Sequence, residues 1–266
     1  MTPDSWNAGN DPVLVLYAGV LGAVIGSFLN VCILRWGAEP KQSVLRPPSR
    51  CPTCGRGVRW YENVPIVSWL VLRGRCRGCR EPISVQYPVV ELATALLWAF
   101  MVWRHGFGLE ALRGAVFGTI LLGIALTDAR AYVIPDEFSL GGLGLGVLFA
   151  LLAGRQPLTT ALLGAAVGFG LLWLVAVGGQ WMFKQEAMGG GDIKMMAMVG
   201  AFLGWQGTLL TVFLGALIGS LIFVPLTLAG SKKLVPFGIF LAIGAAATYL
   251  AGPAILSWYG RYVGSA

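Results

Sequence analysis

Apolar residues fall in long runs along this chain, at roughly 12–34, 87–103, 111–127, 137–154, 158–180, 192–204, 207–230 and 234–257. A helix needs about 20 apolar residues to cross about 30 Å of hydrocarbon, with a lower limit of about 17. Most of the runs qualify, whereas 192–204 is short. The pattern predicts an all-α polytopic membrane protein with about eight transmembrane helices. One long polar segment, residues 35–86, separates the first two.

Composition agrees with that reading: of 266 residues, 56% are hydrophobic and only 12% charged, about half the charged fraction of soluble domains. The opening MTPDSWNAGNDP carries Asp4 and Asp11 and no basic residue. The first run is therefore expected to be a retained span rather than a cleaved leader. Basic residues set the orientation. With the N-terminus outside and eight crossings, only Arg104, Arg113, Arg155 and Arg261 of the 19 lysines and arginines lie outside. If 192–204 did not cross, Lys232 and Lys233 would face outward, so eight crossings is the better expectation. The net charge of +7 then belongs mainly to one cytoplasmic face, where attraction to anionic lipid is an added effect.

The polar segment contains CPTC and CRGC, giving Cys51, Cys54, Cys76 and Cys79 the spacing C-x2-C-x21-C-x2-C. Two short turns, each aiming two thiolates at one ion, complete a tetrahedron suited to zinc. Gly55 and Gly78 suit the tight turns in which backbone amides approach sulfur. Two disulfides are the alternative reading, disfavoured in a reducing cytosol. A loop with so little apolar content would draw its folding free energy from the metal, on the order of 10 kcal/mol. With four protein ligands the ion has no open position and is expected to be structural. Cys32, in the first run, reads as a small packing residue.

Few acids lie near the apolar runs. Glu91, Asp128, Asp136, Glu137 and Asp192 are the notable ones, and an unpaired carboxylate there costs several kcal/mol. The topology puts Asp128, ending the third run, and Asp192, in GGGD at the start of the sixth, at the same cytoplasmic edge on separate helices. Such a pair shares one proton, so one carboxylate can take a proton from water while the other donates to an amide. Gly189 and Gly191 would let an extended peptide lie beside the acid. The plainer alternative makes Asp192 a helix cap and Asp128 a helix-end residue, each solvated. Asp136 and Glu137, after Pro135, read as the N-terminal cap of the fourth span. The single histidine, His105, leaves no Ser–His–Asp apparatus, and neither H-E-x-x-H nor a phosphate-binding glycine loop is present. Gly22–Gly26 and Gly164–Gly168 are helix-packing spacings. Nothing in the pattern indicates a nucleic-acid surface.

Five ordered blocks, GSFLNVCILRWG (26–37), the paired CxxC loop, YPVVELATALLWA (87–99), TDARAYVIPDEFS (127–139) and GGGDIKMMA (189–197), resemble bacterial type IV prepilin peptidases. The resemblance implies a multi-pass enzyme of the bacterial inner membrane, its N-terminus outside and its active site facing the cytoplasm. It implies removal of the basic leader of type IV prepilins or type II secretion pseudopilins after a glycine. It also implies N-methylation of the new N-terminal residue with S-adenosylmethionine. The family's catalytic aspartates match Asp128 and Asp192 of the GxGD motif, and its cysteine tetrad matches Cys51, Cys54, Cys76 and Cys79. Glu91 lies in a typical block but receives no role. The domains expected are 1–34, the N-terminus and first helix; 35–86, a zinc-binding domain; and 87–266, a GxGD aspartyl protease transmembrane domain. A peptidase without methyl transfer, a proton-coupled transporter using the two aspartates, and a zinc-bearing scaffold are the competing readings. The transporter reading leaves the glycines before Asp192 and the zinc loop unexplained.

Overall fold

The computed structural model describes residues 11–184, 188–228 and 236–264, so Asp4 and the Lys232–Lys233 pair of the orientation argument lie outside the described residues. The helices are α1 (Pro12–Trp36), the short α2 (Val67–Val71), α3 (Gln86–His105), α4 (Leu109–Ala131), α5 (Asp136–Ala153), α6 (Arg155–Phe183), α7 (Gly190–Leu228) and α8 (Phe237–Gly264), with a 3-10 turn at Trp60–Glu62. Seven of them are long and apolar enough to cross a membrane. Local chemistry sets their ends. Asp11 caps α1 by accepting the Val13 amide at 2.9 Å, and Pro12 occupies the first turn, where its missing N–H costs nothing. At α5 the cap is Pro135, and Asp136 and Glu137 lie in the first turn rather than capping it.

The chain forms two compact units, residues 1–119 and 120–266, with the division inside α4. In the first unit α1 packs along α3 through its glycines. A Cβ on Gly22 would stand 2.7 Å from the Thr94 carbonyl oxygen, and one on Gly26 2.8 Å from the Glu91 Cα. Asn30, fully buried, ties the same pair of helices by donating to the carbonyls of Gly26 and Tyr87. Cys32, on the same helix, is 2% exposed.

In the second unit α7 is two passes rather than one. Gly204 breaks it with φ 72° and ψ 176°, a conformation open essentially to glycine alone. A Cβ on Gly168 of α6 would meet the Met196 carbonyl and stand 3.2 Å from Thr208 Cγ2. Those two residues would be about 18 Å apart along a straight helix, so the chain reverses near Gly204. The short run is thus an arm of its own, which brings the apolar segments among the described residues to about eight, the number the pattern predicts. This arm is the unit's buried centre: Met195, Met196, Met198 and Val199 are all fully buried. Surrounded by protein, it is not held to the hydrocarbon thickness that sets the length of a lipid-facing helix.

Candidate functional site

Two constellations stand out, one in each unit. In the first, the four cysteine sulfurs all lie within 4.8 Å of one another, with Cys51 Sγ and Cys79 Sγ 3.7 Å apart. Tetrahedral zinc with sulfur at about 2.3 Å separates its ligands by about 3.8 Å, so the tetrad fits such an ion. Two similar turns build it. Cys51 N donates to Arg56 O and Gly55 N to Cys51 O, while Cys76 N donates to Glu81 O and Arg80 N to Cys76 O. Gly55 and Arg80, each following the second cysteine of its pair, take positive φ of 70° and 64°. Gly78 N–H approaches Cys76 Sγ at 3.4 Å, the amide–sulfur contact that a glycine in CRGC suggests.

Electrostatics around the tetrad favour an anionic, metal-ready state at part of it. Amides of Cys54 and Thr53 hold the Cys51 thiol down at about 6, and those of Cys79 and Gly78 lower Cys76. At Cys79 the Glu81 amide pulls downward, but loss of solvent and the adjoining sulfurs outweigh it and push the thiol up to about 12. Glu62 joins the turns from outside, 2.8 Å from Arg56 of the first and 3.6 Å from Arg77 of the second. The Arg59 amide and these guanidinium groups hold its carboxyl below the usual range.

In the second unit, Asp128 and Asp192 come together at one end of the bundle. Asp128, three residues before the end of α4, is 5% exposed. Its Oδ2 accepts the Ile239 amide at 3.1 Å, and the Gly238 amide also points at it. The carboxylate is thus seated on the N-terminus of α8, where free amides and the helix dipole favour negative charge. Asp192 sits in the first turn of α7, and its neighbour Gly191 packs on the same Ile134 side chain that meets Gly238 beside Asp128. Asp192 Oδ1 is buried and has no hydrogen-bond partner among the described residues. The solvated alternative therefore does not describe Asp128, whereas Asp192 is half-buried in the first turn of its helix.

The comparisons with known proteins fall on the same two regions. The model described as the bacterial peptidase A24 N-terminal domain matches residues 20–105, and that of the type IV leader peptidase family matches residues 115–224. The chain belongs to the type IV leader peptidase family. Among its relatives, a Stutzerimonas stutzeri protein is 36% identical over 97% of this chain and 98% of its own length. One from Pseudomonas aeruginosa is 38% identical over 97% of each, and one from Myxococcus xanthus 39% identical over 87% of this chain and 69% of its own. All three bear the name prepilin leader peptidase/N-methyltransferase. No solved structure matches the chain.

Around the acids of this leader-peptidase-family chain the structure adds residues that run lengths and charges do not single out. Ile134, from the loop after α4, fills the space at two glycines. A Cβ on Gly191 would stand 2.9 Å from Ile134 Cβ, and one on Gly238 2.9 Å from Ile134 Cδ1. Close approach at Gly191 therefore serves packing against Ile134. Gly189 and Gly190 are exposed, and among the described residues the only atom near a Cβ on either is Asp192 Oδ2, 3.6 Å from Gly189. Lys194, two residues past Asp192, pairs with Asp136 at 2.8 Å and fastens the start of α7 to that of α5. The signal for Gly238 was present as PFG at a helix start, but nothing local says which acid would dock there.

Proposed function

We propose that this chain cleaves the leader from prepilins or pseudopilins and then methylates the amine it exposes. The single observation that supports this most is the meeting of Asp128 and Asp192, from opposite parts of the second unit, at one end of its bundle. In the cleavage step one carboxylate takes a proton from water as the water oxygen attacks the scissile carbonyl. The other donates its proton to the carbonyl oxygen. Collapse of the tetrahedral intermediate breaks the C–N bond, and the proton gained from water passes to the leaving amine. The exposed backbone at Gly189 and Gly190 is where an extended peptide would run beside Asp192, with cleavage after a glycine.

The proposed setting is the inner membrane, with the acid end facing the cytoplasm. A prepilin helix anchored in the same bilayer would carry its basic leader to that depth. The cysteine tetrad would hold structural zinc, fixing the loop between α1 and α3 without touching substrate. S-adenosylmethionine would supply an electrophilic methyl group, and the protein's part is to hold the neutral amine in line with it.

Purified enzyme in lipid, a synthetic prepilin and labelled S-adenosylmethionine test both halves. Asp128→Asn and Asp192→Asn should each slow cleavage by about 100-fold or more while retaining bound metal. Normal cleavage by either variant would remove the aspartyl mechanism. Cleavage without transfer of label would remove the transferase half.

A further inference from the structure

The first unit contains a cavity of about 540 Å3 between α1, α3 and the loop that joins them, a size typical of small-molecule sites. Val31 and Leu34 of α1, Trp69 of α2 and Tyr87 of α3 give it an apolar and aromatic lining. Glu91, in the wall formed by α3, is 6% exposed. Its Oε2 accepts the Ile66 amide at 2.7 Å. Ile66 reaches that position with φ 64°, a costly conformation for a β-branched residue, so the loop is distorted toward the carboxylate. No basic side chain among the described residues forms an ion pair with Glu91. Glu62, another acid of the lining and half-buried, is already paired with Arg56 and Arg77.

Opposite charge lies further along α1, past Gly26, the residue packed against Glu91, and Arg50 of the loop also lines the cavity. Arg35 lines the same cavity, and its guanidinium donates to the carbonyls of Ser43 and Pro47 at 2.7 and 2.6 Å. Both partners are neutral carbonyls, and no acid among the described residues forms an ion pair with Arg35. Among the described residues the cavity thus offers a carboxyl group without an ion-pair partner, a guanidinium group without one further along, and aromatic side chains in the same lining. Its complement is a molecule with a cationic centre, a carboxylate and a planar ring. Resting on the methyl-transfer reading above, we propose that this cavity is the S-adenosylmethionine site, with Glu91 the counter-charge to the sulfonium and Arg35 facing the carboxylate end. This gives Glu91 a function and separates the methyl-donor site from the aspartates in sequence.

Equilibrium binding of tritiated S-adenosylmethionine and of its demethylated product, S-adenosylhomocysteine, to the full-length zinc-loaded protein tests the assignment. The two ligands differ by one methyl group and one positive charge. Wild type should prefer the sulfonium form. Glu91→Gln keeps an oxygen for the Ile66 amide and loses only the charge. It should weaken S-adenosylmethionine binding about tenfold and leave the product within about twofold, abolishing the preference. Val31→Trp, which fills the cavity, should weaken both ligands. Binding by wild type that neither substitution alters, or a Glu91→Gln effect equal for both ligands, would overturn the site while leaving the transferase reading intact. Failure of wild type to bind either ligand would overturn both.

Discussion

Asp128 is useful because of what lies opposite it. A carboxylate near a helix C-terminus meets the wrong end of that helix's dipole, yet here the first amides of α8 offset the mismatch. They reach it because residue 238 has no side chain. A Cβ on Gly238 would stand 2.8 Å from Asp128 Oδ2 and 2.9 Å from Ile134 Cδ1. Gly238→Ala should therefore displace the acid and slow leader cleavage by about 10-fold to 100-fold. Cleavage kinetics read this directly, and zinc content, held in the other unit, should not change. An undiminished rate would mean that the contact at Gly238 is irrelevant to the reaction. Both aspartates are legible as rare acids at apolar boundaries, whereas Gly238 and Ile134 are not. Their roles arise from residues about 100 positions apart in the chain that touch only after folding.

Among the elements, α7 shows how a weak local signal can set the architecture. The apolar pattern falls into 192–204 and 207–230 with only Trp205 and Gln206 between them, and the folded chain reverses there. Reversal returns the second arm to the start of α8: a Cβ on Gly219 would stand 3.6 Å from Phe240. It also leaves Asp192 at the same end as Asp128. Gly204→Ala would place a side chain in a glycine-only backbone conformation and 2.8 Å from Thr160 Cγ2. It should destabilise the protein by about 1–3 kcal/mol, seen as a lower midpoint of thermal unfolding in detergent. An unchanged midpoint would show that the bend does not depend on glycine. Gly164, Gly168 and Gly200 let α6 and the first arm touch backbone to backbone, an interaction that small residues permit in lipid.

Over the whole molecule, the two units answer to different chemistry, metal in one and carboxylates in the other. Loading the metal-free tetrad should release protons, because zinc binds thiolate. Cys51, near 6, is already ionised at pH 8, whereas Cys79, near 12, must give up its proton. Zinc addition at pH 8 in weak buffer should thus release more than zero but fewer than four protons per ion. Acidification through about pH 6 should weaken binding steeply, as Cys51 regains its proton and competes with the metal. Cys51→Ser or Cys79→Ser should abolish stoichiometric zinc, measured by atomic absorption. Metal retained in both variants would refute the four-thiolate site.

Run length, the sparsity of charge and the two CxxC turns determined by themselves that the chain is helical, crosses a membrane about eight times and carries one four-cysteine loop. These are local properties, set by what hydrocarbon tolerates and by what two residues of spacing can aim at one ion. Only the tertiary structure decided that Asp128 rests on the start of α8, that Ile134 fills the space at Gly191, and that Glu91 faces a cavity with no ion-pair partner among the described residues. Those facts depend on which helix ends meet, and the apolar surface that brings helices together is too uniform along this chain to specify its partners in advance.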